Sequence, residues 1–234
     1  MTNIVVTTMA SLTDQTAQAT WRAGALAVLP LAAAVAVLGV TFGALAVSAG
    51  LTPAAATVMS ATTFAGSAQF AAVGILADGG AVGTAVISAS LLNARYAAMG
   101  AAVAPVLHGS RWKRLLLAQL VVDETWAVAW LPSGRPSPER LLGAGLALLV
   151  AHVASTAAGA FAGAHLPVDP RRWGVDAAFP ALFVLLLWPH LRNADGRIAA
   201  ALGAAIALAL TPVLPAGVPV ATAAAAALTG LRSR

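Results

Sequence analysis

Thr62-Thr63-Phe64-Ala65-Gly66-Ser67-Ala68-Gln69-Phe70 gathers three hydroxyls, a glycine and an amide into nine positions. No charged residue occurs between Ala23 and Ala77, so this polar knot sits in surroundings as apolar as hydrocarbon. Glycine weakens a helix, and serine and threonine hydroxyls compete for its backbone hydrogen bonds. In a bilayer an irregular backbone survives only where it is buried in protein or lines a water-filled cavity. The stretch therefore predicts a kink or break at Gly66–Gln69 with its polar groups turned inward. The plainer alternative is a small-residue packing face with Gln69 bonded to a neighbouring helix. Ionisable residues in apolar segments form the second set: Arg95, Asp123, Glu124, Asp176 and His152. Each costs at least about 2.5 kcal/mol to insert, so each wants a partner or a purpose. Asp123 is the natural partner for Arg95. Asp176 can instead cap a following helix, and His152 can simply be packed and hydrogen-bonded.

The solvent for these groups follows from composition. Charged residues make up 9% of the chain and apolar residues 60%, and the mean hydropathy is +0.87. Ordinary soluble domains carry roughly 25% charged residues. There are too few charges here to solvate a globular exterior, so the chain is an integral membrane protein. Thirteen basic residues face eight acidic ones, but they group between hydrophobic runs, as at Arg111/Lys113/Arg114 and Arg171/Arg172. That is the loop bias of membrane proteins rather than a nucleic-acid-binding stripe. The absence of cysteine excludes thiol catalysis and disulfides, and no metal or other cofactor is expected.

The positioning elements read as helices. Residues 1–20 predict a retained, disordered polar tail, and residues 21–234 one transmembrane helical domain. Trp21-Arg22 marks a membrane surface. The first helix, Ala23–Ala49, has Pro30 as its bend point. Its Gly39-xxx-Gly43 face and Gly159-xxx-Gly163 in the fifth segment are surfaces able to receive further helices, which predicts a need for a second subunit. Ala54–Ala77 holds the break, Ala81–Val106 holds Ser88, Asn93 and Arg95, and a fourth segment reaching Leu131 holds Asp123-Glu124. On a continuous helix Gln119, Asp123, Trp126 and Trp130 would share a face. Leu141–Ala164 and the shorter Val175–Trp188, Ile198–Leu210 and Val218–Leu231 complete an all-α polytopic membrane protein of seven to eight helical segments. At least one is expected to be broken or re-entrant. With Arg22 inside, a re-entrant Ala54–Ala77 would return the Arg111–Arg114 cluster to the cytoplasmic side.

Several blocks, in this order, resemble one family. They are Leu29-Pro30-Leu31, Phe42-Gly43-Ala44-Leu45-Ala46, Phe64-Ala65-Gly66-Ser67-Ala68-Gln69-Phe70, Asn93-Ala94-Arg95-Tyr96, Asp123-Glu124-Thr125 and Gly174-Val175-Asp176-Ala177-Ala178-Phe179-Pro180-Ala181-Leu182-Phe183. Together they are similar to AzlC, the large subunit of bacterial branched-chain amino-acid exporters of the YgaZ or BrnF type. The resemblance runs from about Arg22 to the C-terminus, and the Ala-rich last segments carry no motif of it. It implies secondary export of valine, leucine and isoleucine, with methionine as a further candidate, across the bacterial inner membrane. It also implies a small AzlD-type membrane subunit as partner and no enzymatic activity. The residues can serve a zwitterion. Its carboxylate suits a half-helix N-terminus at Gly66 and Ser67 or the fork of Arg95. Gln69 and Asn93 offer neutral hydrogen bonds, and Arg95, Asp123, Glu124 and Asp176 can couple charge or pair as ions. Two other classes stay open. Ser67 and His152 have the residue types of an intramembrane serine–histidine hydrolase, and the chain could be a non-transporting structural subunit.

Overall fold

A computed structural model describes residues 19–165, 184, 187, 188, 190–214, 218–223 and 226. Asp176 and most of Val175–Trp188 lie outside the described residues, as does nearly all of the N-terminal tail. Every regular element among the described residues is helical. In chain order these are α1 (Trp21–Ala27), α2 (Leu29–Ser48), α3 (Pro53–Thr63), α4 (Gly66–Ala77), α5 (Val82–Asn93) and α6 (Arg95–Val103). Then come α7 (Arg111–Gln119), α8 (Asp123–Ala129), α9 (Pro138–His165), α10 (Ala194–Leu210) and α11 (Val218–Ala223).

The expectation of seven to eight membrane segments is not met. Among the described residues only α2, of 20 residues, and α9, of 28, are long and apolar enough to cross a bilayer. A third crossing exists if Val82–Asn93 and Arg95–Val106, bent at Ala94, count as one. That bent pair falls at Ala94 and not in Ala54–Ala77, which had been expected to be re-entrant. The physical reason is interruption. Runs that look continuous are cut at Val28, which splits a 7-residue α1 from α2, and at Phe64-Ala65, Ala94 and Leu120–Val122, which leave pieces of 7 to 12 residues. A crossing needs about 20. Pro30 is not the bend itself. The first interruption is two residues earlier, at Val28, and Pro30 sits in the opening turn of α2, where its missing N–H costs nothing.

The chain divides into two compact units. The first comprises the residues up to Gly39 together with Arg95–Ser155. Its core is Val103, Leu107, Leu117, Val121, Ala129 and Leu141, with Met99 and Trp126 packed against it. Here α1 lies against α9 backbone to backbone: a Cβ at Gly24 would strike the Arg140 carbonyl, and one at Gly143 the Trp21 carbonyl.

The second unit comprises Val40–Ala94 and the chain from Thr156 onward. It is built on the hairpin of α4 and α5, joined through Ala72, Ile75 and Ala85, with Met59, Leu76 and Ala89 alongside. The turn Asp78–Ala81 is tight and Gly79 takes φ 77°, so the helices are antiparallel and Asn93 returns to the Gly66 end. Phe42 and Phe70 meet edge to face at 5.5 Å, which seats the first half of α4 against α2.

The glycine faces are occupied by each other. A Cβ on Gly43 would collide with the Thr156 carbonyl and stand 2.5 Å from Ala160 N, and one on Gly159 would collide with the Val40 carbonyl. Gly39 likewise fits only because Ser155 and His152 meet a bare Cα. The small-residue surfaces expected to receive a partner are therefore consumed within the chain, by α2 against α9. Gly43→Leu is expected to cost about 3 kcal/mol by overpacking, lowering the thermal midpoint in detergent by roughly 6–12 °C. Gly83→Leu, where a Cβ meets nothing within 4 Å, is the control and should melt like the parent. Equal midpoints for both would refute the close approach.

Candidate functional site

The interruption between α3 and α4 is at Phe64-Ala65, just before the Gly66–Gln69 stretch that was expected to hold it. Phe64 adopts φ 42°, ψ 47°, and among the described residues it is the only non-glycine residue with positive φ. Such a conformation costs a bulky residue on the order of 1–3 kcal/mol and persists only where surroundings over-determine it. Three features do so here. Phe64 is buried and its N–H donates to Ser60 O at 3.2 Å. Gln69 Oε1 accepts from Ala65 N at 3.2 Å, and Gln69 Nε2 donates to Ser60 Oγ at 2.8 Å. Ser60 Oγ in turn shares a hydrogen bond with Thr156 Oγ1 at 2.9 Å. Ser60, Gln69 and Thr156 are all fully buried, so this chain of bonds clamps the break inside the second unit.

Gly66 opens α4, and no side chain caps the helix at Ala65. The first N–H groups of a helix lack intrahelical acceptors and carry the positive end of its dipole. Among the described residues a Cβ built on Gly66 meets nothing within 4 Å, so they leave the space beside that positive end open. Ser67 is buried at the same turn. Asn93, at the far end of the hairpin's second helix, has its Oδ1 buried without a hydrogen-bond partner among the described residues. A buried acceptor left so is costly, and it stands at the same end of the hairpin as Gly66. Gln69 is bonded to the neighbouring helix, as the plainer alternative had it: Nε2 reaches Ser60 on α3, and Oε1 holds the backbone at Ala65.

Of the ionisable residues, Arg95 and Asp123 meet in the first unit. Arg95 begins α6 and Asp123 begins α8. Arg95 Nε donates to both carboxylate oxygens of Asp123, at 3.0 and 3.2 Å, and its Nη2 donates to Oδ2 at 2.8 Å. The Arg95 guanidinium also lies over the Tyr96 ring at 5.0 Å, and Tyr96 OH reaches Asp123 Oδ2 at 3.5 Å. The pair is only partly shielded, with side chains 32% and 33% exposed. Glu124 follows Asp123 in the first turn of α8, where a carboxylate favours the helix dipole.

Thr125 makes that start possible. Its hydroxyl donates to Leu120 O at 2.6 Å, and its oxygen accepts from Val122 N at 2.9 Å. The chain thus breaks at Leu120–Val122, and the helical face expected to run through Gln119, Asp123, Trp126 and Trp130 is interrupted after Gln119. Trp126 and Trp130 still stack edge to face at 5.7 Å, and neither Nε1 has a partner among the described residues. His152 is buried within α9, its carbonyl accepting from Ser155 Oγ at 3.0 Å.

Sequence reasoning missed Ser60, Tyr96, Thr125 and Thr156. Tyr96 was within reach, because it adjoins Arg95 in an otherwise apolar segment. Ser60 and Thr156 carry no local signal, since their role comes from meeting Gln69 across the fold. Among the described residues no group of three or more His, Cys, Asp or Glu residues could hold a metal.

An uncharacterized membrane protein found in two strains of Helicobacter pylori is 26% identical over 174 residues, covering 73% of this chain and 75% of the relative. An uncharacterized membrane protein of Archaeoglobus fulgidus is 31% identical over 192 residues, covering 82% of this chain and 84% of the relative. No solved structure matches the chain. The family model described as AzlC protein matches residues 30–166, more than half of the sequence. With its two apolar crossing helices and its relatives among membrane proteins, the chain belongs to the AzlC family of multi-pass membrane proteins.

Proposed function

We propose that the chain is the large subunit of a secondary exporter of branched-chain amino acids at the bacterial inner membrane. Its cargo is valine, leucine and isoleucine, with methionine as a further substrate. It works with a small AzlD-type membrane subunit, as the family reading implies. The observation that carries the site is the open space at Gly66, beside the uncapped start of α4.

An amino-acid carboxylate docks at the start of α4, beside Gly66 and Ser67, where the positive end of the helix dipole favours an anion. The ammonium is accepted by Asn93 Oδ1, which lacks a hydrogen-bond partner among the described residues. Gln69 acts one step back, holding the backbone that leads into that helix start. Arg95 and Asp123 carry the charge coupling: a proton taken up by Asp123 weakens its hold on Arg95. Glu124 and Asp176 complete the coupling set. The partner docks elsewhere than on the glycine faces of α2 and α9, which are already filled.

The test is efflux of a panel of labelled amino acids from vesicles containing this chain with and without the small subunit. Export of leucine, isoleucine and valine, but not lysine or glutamate, is expected only when both chains are present. No branched-chain efflux with both present would sink the reading. Full efflux by this chain alone would remove the partner from it.

A further inference from the structure

Outside the broken helix and the ion pair, the first unit has a groove of about 390 Å³ beside α7. Its apolar wall is Gly100, Ala104, Leu107, Leu115 and Ala118. Arg111 and Arg114 complete the lining. They stand three apart on one helix, so their side chains share a face. Neither has an ion-pair partner among the described residues.

The helix that carries them is unusual. Within α7 only Leu117 is buried, while Trp112, Leu115 and Leu116 are 71%, 59% and 72% exposed. A helix that exposes tryptophan and leucine beside three cations is suited to neither water nor hydrocarbon. It suits the boundary between them, where the apolar residues enter the acyl region and the basic ones meet headgroups.

We propose that this groove binds one anionic phospholipid. An acyl chain lies on the Gly100–Leu107 wall against Leu115 and Ala118, and the phosphodiester sits between the guanidinium groups of Arg111 and Arg114. The complementarity is twofold. The groove is apolar apart from two unpaired cations, and a phospholipid is apolar apart from one anionic head. Guanidinium groups match phosphate oxygens in geometry as well as charge. A zwitterionic lipid brings its own cation to the same place and is disfavoured. Gly100 leaves the floor of the groove open, because a Cβ there meets nothing within 4 Å.

The experiment is native mass spectrometry of the purified full chain in non-ionic detergent. It is titrated with phosphatidylglycerol, with phosphatidylcholine of the same acyl chains, or with inorganic phosphate. One phosphatidylglycerol per chain is expected in preference to phosphatidylcholine. Arg111→Gln and Arg114→Gln should each weaken it about tenfold, the worth of one charged hydrogen bond. Gly100→Leu, which enters the groove without touching the arginines, should weaken it as well. Lys113→Gln should change it less than twofold, because Lys113 does not line the groove. Equal losses for Lys113→Gln and the arginine variants would mean diffuse attraction and overturn the site. So would phosphate competing as well as the lipid, or undiminished binding by a folded Gly100→Leu protein.

Discussion

Gly66→Leu is expected to abolish efflux while leaving a folded protein. At the first position of α4 a leucine improves helix propensity, and its Cβ meets nothing within 4 Å. Detergent stability should therefore be equal to or above that of the parent. The leucine side chain fills the space in front of the N–H groups of Gly66 and Ser67, which is where the carboxylate is proposed to dock. Efflux should fall at least a hundredfold, the loss of both space and charge-directed donors amounting to about 3 kcal/mol. Gln69→Ala should behave in the opposite way. It removes the partner of Ala65 N and one of the two partners of Ser60 Oγ, which keeps Thr156, inside a buried network, at a cost of about 1–3 kcal/mol for the one group left unsatisfied. Its thermal midpoint should drop and efflux should fail with it. Wild-type efflux from a stable Gly66→Leu protein would end the binding-site proposal. A Gln69→Ala protein as stable as the parent would show that the clamp does not hold the break.

These variants separate because the same nine residues carry two kinds of information. A break was legible: glycine and hydroxyls crowded into an uncharged run favour irregular backbone, whatever the fold around them. Its position was not. Phe64 is the residue that turns left-handed, and nothing in a phenylalanine announces positive φ. The turn is imposed by Ser60, Gln69 and Thr156 meeting in space. The interruption at Leu120–Val122 was hidden for the same reason, since that stretch holds neither glycine nor proline and the side-chain bonds to its backbone come from Thr125, beyond it. Hydropathy sums over such breaks, so it overcounted the crossings. Gly39-xxx-Gly43 and Gly159-xxx-Gly163 were legible as places of close approach, but two small-residue faces cannot say whether they wait for a partner or for one another. The pairing of Arg95 with Asp123 was legible as one candidate, because an isolated charge in an apolar segment wants a partner, and the pair forms.

Removing either half of that pair is expected to destabilise the chain, and removing both should destabilise it less than the two losses added. A fully buried pair broken on one side costs about 3–5 kcal/mol. Here each side chain is about a third exposed, so water relieves part of the orphaned charge and about 1–3 kcal/mol per single change is appropriate. Arg95→Ala leaves Asp123 with only the distant Tyr96 hydroxyl, at 3.5 Å. Asp123→Ala leaves the guanidinium over the Tyr96 ring at 5.0 Å, a softer refuge. The acid left alone should therefore cost more than the cation left alone. Residues in direct contact typically couple by 0.5–3 kcal/mol in such a cycle, and about 1–2 kcal/mol is expected. Arg95→Lys should recover little of it. A lysine is a point charge and cannot span both carboxylate oxygens as the Nε and Nη2 donors do. Efflux separates structure from transport: the double variant should regain thermal stability relative to the worse single and still fail to export. Additive losses would mean that the pair contributes nothing as a pair. Full export by a stable double variant would remove Arg95 and Asp123 from the coupling mechanism.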